Sequence, residues 1–201
     1  MTRPEQVIYL PGIRGEAGFW EPVASRVATV APSVMLRYPW ASGAGPVEEA
    51  GSFDDLAAAV AARFDKPTAL VAQSLGGVVA VLAAAKQPAL VTHLVLVATS
   101  GGVRTDDLDV TDWKTPFLEA YPHVPRWVGE PLDLADTLAT LTMPALLLWG
   151  DADPIAPVSI GERLASLLPS AQLDVLEGGE HDLAVRHAGT VASAIIEHLR
   201  T

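Results

Sequence analysis

Six short runs, almost wholly apolar, recur along this chain at residues 7–10, 33–37, 68–72, 93–98, 145–149 and 172–176. A strand wetted on one face alternates apolar and polar residues, whereas a run apolar at nearly every position is buried on both faces. Between the runs lie segments with helical spacing at 21–30, 53–64, 78–85, 132–141, 158–168 and, after the last run, 188–199. Alternating strands and helices of this kind predict an α/β fold, with a parallel sheet of six strands covered by helices on both faces. The chain has 201 residues, half of them hydrophobic, which suits one domain with a substantial core. No internal repeat or linker divides it, so residues 1–201 are expected to form a single unit. One stretch stands apart, at about 101–131, where Trp113, Phe117, Tyr121 and Trp127 are scattered among prolines and acidic residues.

Ligands of such sheets bind beyond the carboxyl ends of the strands, so the residues that follow each run carry the chemical interest. After the third run the chain reads Ala72-Gln73-Ser74-Leu75-Gly76-Gly77 and then turns helical. A serine on a sharp strand-to-helix turn is a nucleophile elbow, whose usual pattern is G-x-S-x-G. Ala72 departs from that pattern but keeps the small size that the turn needs, and Gly76 matches it. A serine there can equally be a plain helix cap. A hydroxyl becomes a nucleophile only beside a base, and the base works best when a carboxylate orients it. Asp151 and Asp153 follow the fifth run and His181 follows the sixth. Either aspartate fits as the acid at this point, and an aspartate before proline can also simply hold a turn. His93, His123, His187 and His198 do not follow strands in this order, and the spacing of His181 and His187 is poor for a metal.

The net charge is −11, with no stripe of Lys and Arg to offset it. That balance argues against nucleic acid and anionic membrane surfaces as partners. There is no cysteine, so disulfides, thiolate metal sites and cysteine nucleophiles are impossible. No apolar run reaches membrane-spanning length, and the first six residues contain no signal-peptide core. A soluble cytoplasmic protein is the expectation, with its oligomeric state open.

Elbow, acid and histidine in the order Ser, Asp, His make the chain resemble a small member of the α/β-hydrolase superfamily, over nearly its whole length. In that family the acid commonly lies in G-x-x-D-x-x-x-P. Gly150, Asp153 and Pro157 match, so the resemblance implies Asp153 as the acid and Asp151 as a turn residue. It likewise implies His181 as the base, after the glycine-rich turn Gly178-Gly179. The family's oxyanion hole would be built from the backbone N–H groups of Leu75 and Ile13. The latter loop reads Pro11-Gly12 where His-Gly is usual. The family also has two further strands before the one leading into this loop, so the sheet here is expected to be trimmed, in the order 2-1-3-4-5-6. The implied activity is a cofactor-free, metal-free serine hydrolase acting on an ester, thioester or lactone of a small to medium acyl compound. The stretch 101–131 would be a short cap, with Trp113, Phe117 and Trp127 as substrate-lining aromatics or as packing. Arg14, in the oxyanion loop, would meet a substrate carboxylate or be a structural charge. Family members also diverge to lyases, acyltransferases or non-catalytic binding proteins.

Overall fold

The computed structural model describes residues 2–41 and 50–201, and part of the loop expected between the second run and the next helix lies outside them. Six strands form one sheet: β1 (Gln6–Leu10), β2 (Ser33–Met35), β3 (Thr68–Gln73), β4 (Val91–Val97), β5 (Ala145–Gly150) and β6 (Ala171–Leu176). Their order is β2-β1-β3-β4-β5-β6 and every pairing is parallel. All residues of β1, β3 and β5 are buried, as unbroken apolar runs require. The outer strands differ. β2 is short and half open, and no residue of β6 is fully buried, with Val175 45% exposed.

The helices are α1 (Glu21–Val27), α2 (Phe53–Ala61), α3 (Leu75–Lys86), α4 (Lys114–Ala120), α5 (Ala135–Thr140), α6 (Val158–Leu167), α7 (Leu183–Arg186) and α8 (Ala188–His198). α1 packs on α8, while α2, α3, α5 and α6 pack in succession. α3 is apolar on all sides and nine of its twelve residues are buried, the mark of a central helix. None of the described helices is long and apolar enough to cross a membrane.

Local chemistry sets the ends. The expected helix from residue 53 begins on Ser52, whose Oγ accepts the Asp55 N–H at 3.1 Å. Asp55 Oδ2 returns the favour one residue early, to the Gly51 N–H at 3.1 Å, so the capping box is shifted rather than reciprocal. Several elements are shorter than their patterns predict. α2 ends at Ala61, because the next turn tightens to i→i−3 bonds from Arg63 and Phe64. α1 stops at Val27 in the same manner, with the Val30 N–H on the Val27 carbonyl at 2.8 Å. α5 starts at Ala135 rather than 132, since Pro131 precedes it and Asp133 Oδ1 accepts the Ala135 N–H at 3.2 Å. The single turn of α7 has no counterpart in the sequence pattern.

Segment 101–131 holds α4 and a 3-10 turn at Arg126–Gly129. It is fastened to α6 by Arg163, whose two Nη atoms reach Asp107 Oδ1 and Oδ2 at 2.8 and 2.7 Å. On the other side, the Trp127 Nε1–H donates to the Ala50 carbonyl at 3.1 Å.

Candidate active site

Ser74 joins β3 to α3 with φ 53° and ψ −123°. This is a backbone region that non-glycine residues enter only when their surroundings hold them there. The holding groups are visible. The Ser74 N–H donates to the Val97 carbonyl at 3.1 Å, and the Ser74 carbonyl accepts the Gly77 N–H at 2.9 Å and the Thr99 hydroxyl at 2.5 Å. Glycine at 76 is a steric demand. A β-carbon there would sit 2.6 Å from the Pro11 carbonyl oxygen and 2.7 Å from that of Leu10. The helix thus starts directly against the end of β1, which brings the loop after β1 beside the serine. Gly12 completes the fit, because a β-carbon on it would lie 2.4 Å from Gln73 Oε1.

His181 reaches the same point from the far edge of the sheet. Gly178 takes φ 66°, and Gly150 and Gly179 touch so closely that a β-carbon on Gly150 would meet the Gly179 oxygen at 2.1 Å. Asp151 clasps the two loops, its Oδ1 accepting the Gly178 N–H at 2.6 Å. Gln73 Nε2–H donates to the His181 carbonyl at 3.2 Å, tying the histidine loop to β3.

The three side chains meet in one line. His181 Nε2 lies 3.1 Å from Ser74 Oγ, and His181 Nδ1 lies 2.7 Å from Asp153 Oδ2. Asp153 Oδ1 accepts the Ile155 and Ala156 N–H groups at 2.8 and 3.0 Å. The Asp153 side chain is fully buried and that of His181 is 25% exposed. A buried carboxylate is tolerable when hydrogen bonds replace its water, and here both oxygens are engaged. With Nδ1–H pointed at a carboxylate, Nε2 is left as an acceptor towards the serine. Asp151 faces the Gly178 amide instead.

A cavity of about 110 Å³ opens at Ser74. Its apolar wall includes Phe53, Val78, Trp113, Val128, Ile155 and Ile160, and Arg104, Asp106, Lys114 and Glu130 also border it. Trp113 is therefore the one aromatic of the three expected from the cap that lines this cavity. Phe117 and Arg14 line a separate groove of about 210 Å³ with Trp40 and Tyr121. There Arg14 Nη2 donates to the Tyr121 hydroxyl at 3.4 Å, with the guanidinium 5.7 Å from the ring centroid. Trp127 borders neither space. It packs edge-on against Trp40 and Phe53 at 5.7 and 5.0 Å.

Sequence reasoning passed over Gln73 and Thr99, and Trp40 holds the Ile13 carbonyl with its Nε1–H at 2.6 Å. Gln73 had a signal, being polar at the end of a buried strand. Thr99 had none beyond lying after a strand.

No protein-family model matches the chain. It is 27% identical over 240 aligned positions to a pimeloyl-[acyl-carrier protein] methyl ester esterase of Chromobacterium violaceum, covering 97% of this chain and 94% of that protein. A Synechocystis sp. protein named as a non-heme chloroperoxidase is 33% identical over 78 residues, 38% of this chain, and the matched part spans only 27% of that protein's length. Among solved structures, an esterase from Exiguobacterium antarcticum superposes with a TM-score of 0.82 at 13% identity, covering all of this chain and 94% of its own. At such low identity that likeness carries the fold alone. Strand order, elbow and structural neighbours agree that the chain has the α/β-hydrolase fold, and its full-length curated relative is an esterase.

Proposed function

We propose that the chain is a serine hydrolase of carboxylic esters, thioesters or lactones with a small to medium acyl group. The observation that carries this reading is the unbroken line from Ser74 Oγ through His181 to a buried Asp153, set on a strained elbow. The name of the Chromobacterium relative, a methyl ester esterase, supports the choice of bond.

In this mechanism His181 Nε2 takes the Ser74 proton as Oγ attacks the acyl carbon. Asp153 holds the ring by its Nδ1–H and stabilises the imidazolium that forms. The carbonyl π bond opens and its electron pair moves to oxygen. That oxyanion is received by the N–H groups of Ile13 and Leu75. Collapse expels the alcohol or thiol, which takes the proton from His181 Nε2 and leaves an acyl-serine. Water enters by the same route, giving its proton to His181 and its oxygen to the acid, and Ser74 recovers its proton. Segment 101–131 acts as a short cap, with Trp113 supplying part of the acyl wall. The expected setting is cytoplasmic.

A fluorophosphonate probe tests the assignment. It should label the folded protein at the peptide containing Ser74, and Ser74→Ala and His181→Ala should remain unlabelled. An unlabelled wild-type protein would point to a chain that kept the fold for binding. Labelling without hydrolysis of any ester across acyl lengths would point to a lyase or acyltransferase on the same residues.

A further inference from the structure

A peptide group is planar, so its carbonyl and the next residue's N–H point in opposite directions from one rigid plate. The Ser74 carbonyl and the Leu75 N–H share such a plate. Whatever grips that carbonyl from behind also aims the N–H towards the space before Ser74 Oγ.

Two donors grip it. One is the Gly77 N–H at 2.9 Å, a backbone bond of the first turn of α3. The other is the Thr99 hydroxyl at 2.5 Å. Thr99 is 1% exposed, and its Oγ1 accepts the Gly101 N–H at 2.9 Å, so the hydroxyl proton is committed to Ser74. Position 99 is itself fixed. Ala98 before it has φ 46° and donates its N–H to the Leu148 carbonyl at 3.1 Å. Thr99 also fills the space over Gly77, where a β-carbon would lie 2.3 Å from Oγ1. The second donor of the proposed mechanism is arranged alike, since the Gly12 carbonyl, which shares its plate with the Ile13 N–H, accepts the Gly15 N–H at 2.9 Å. Among the described residues neither the Ile13 nor the Leu75 N–H has an acceptor within the protein.

We propose that Thr99 is a positioning residue whose hydroxyl orients and polarises the Ser74–Leu75 peptide, and so sets the strength of the Leu75 N–H as an oxyanion donor. The proposal rests on the hydrolase reading above. Hydrogen bonds in a chain strengthen one another, so a donor on the carbonyl makes the N–H of the same peptide a better donor. The benefit falls on the transition state, where the oxygen carries charge, and not on ground-state binding.

The test is kinetic, on Thr99→Val, which keeps the shape and deletes the hydroxyl, and on Thr99→Ser, which keeps the hydroxyl. With p-nitrophenyl butyrate, Thr99→Val should lower kcat by about tenfold, less than the loss of a whole oxyanion donor, with KM almost unchanged. Thr99→Ser should restore kcat to near the wild-type value. Affinity for a trifluoromethyl ketone, which forms a tetrahedral oxyanion on Ser74, should fall in step with kcat, while affinity for butyrate stays level. Should Thr99→Val fail to fold, Thr99→Cys, with only a weak S–H donor, takes its place under the same criteria. Undiminished kcat, parallel loss of ketone and butyrate affinity, or failure of Thr99→Ser to restore turnover would overturn the proposal. A wild-type protein that neither hydrolyses the ester nor takes up a fluorophosphonate would overturn the hydrolase reading, and the proposal with it.

Discussion

At the scale of single residues, the site is a set of close approaches that only small side chains permit. Gly76 is the sharpest case, because its neighbours are the backbone oxygens of Pro11 and Leu10 and not flexible side-chain tips. Gly76→Ala must push β1 or the start of α3 aside. Overpacking of this kind costs about 1–3 kcal/mol, and we expect a lower melting temperature together with a loss of esterase turnover greater than tenfold, since the displaced loop carries Ile13. Calorimetry and a p-nitrophenyl ester assay on the one variant check both halves. Turnover at the wild-type level would mean that the contact between α3 and the loop after β1 is not held tightly. Asp153 and Asp151 illustrate the other side of residue-scale reasoning. They are two positions apart and both carboxylates are engaged, yet one meets the histidine ring and the other a glycine amide. Composition could not separate them. The match of Gly150 and Pro157 to a family pattern singled out Asp153, and it is the Asp153 carboxylate that lies beside the His181 ring.

At the scale of elements, the strands were legible because burial on both faces leaves a plain apolar run, and all six begin and end within two residues of those runs. β2 is the shortest, ending at Met35 where the pattern continued to Arg37. Beyond it the Leu36 N–H still pairs with β1, on the Tyr9 carbonyl at 2.9 Å, and the Tyr38 N–H turns to the Gly15 carbonyl. Helix ends were less legible, because they depend on capping and on tightening of the last turn, which side-chain periodicity does not record. The lining of the cavity was least legible. Phe53 and Ile160 reach Ser74 from α2 and α6, and no local pattern announces a contact across such separations. Trp127 likewise looked equivalent to Trp113 in sequence, but its ring lies between Trp40 and Phe53. One prediction belongs here. Ser52 caps α2, so Ser52→Ala should cost about 1 kcal/mol and lower the melting temperature by about 2–4 °C. Thermal unfolding followed by circular dichroism checks this, and an unchanged melting temperature would contradict the contribution of the cap.

At the scale of the whole molecule, the catalytic edge of the sheet is polar and partly open, while the opposite end hides titratable groups. His93, 1% exposed, stands edge-to-face with His198 at 5.2 Å, and the Nε2 of each ring is buried without a partner. Burial, with the neighbouring His198 adding to it, pushes the His93 pKa down to about 4, and burial lowers that of His198 as well. The unfolded chain protonates its histidines near pH 6.5. Between about pH 6.5 and 4 the unfolded state therefore binds a proton that the folded state refuses, so stability is full above that window and falls as the pH drops through it. For His93 alone the loss approaches about 3 kcal/mol at the low end. His93→Gln should flatten the melting temperature over this range, and an unchanged slope would remove His93 as its source. All of these effects surround one central claim, that Ser74, His181 and Asp153 act together to hydrolyse esters. The most direct measurement is steady-state turnover of p-nitrophenyl butyrate by wild type and Ser74→Ala, with circular dichroism confirming that both are folded. Turnover by wild type and its fall by about 10⁴-fold or more in Ser74→Ala is the predicted result, and equal turnover by the two folded proteins would contradict it.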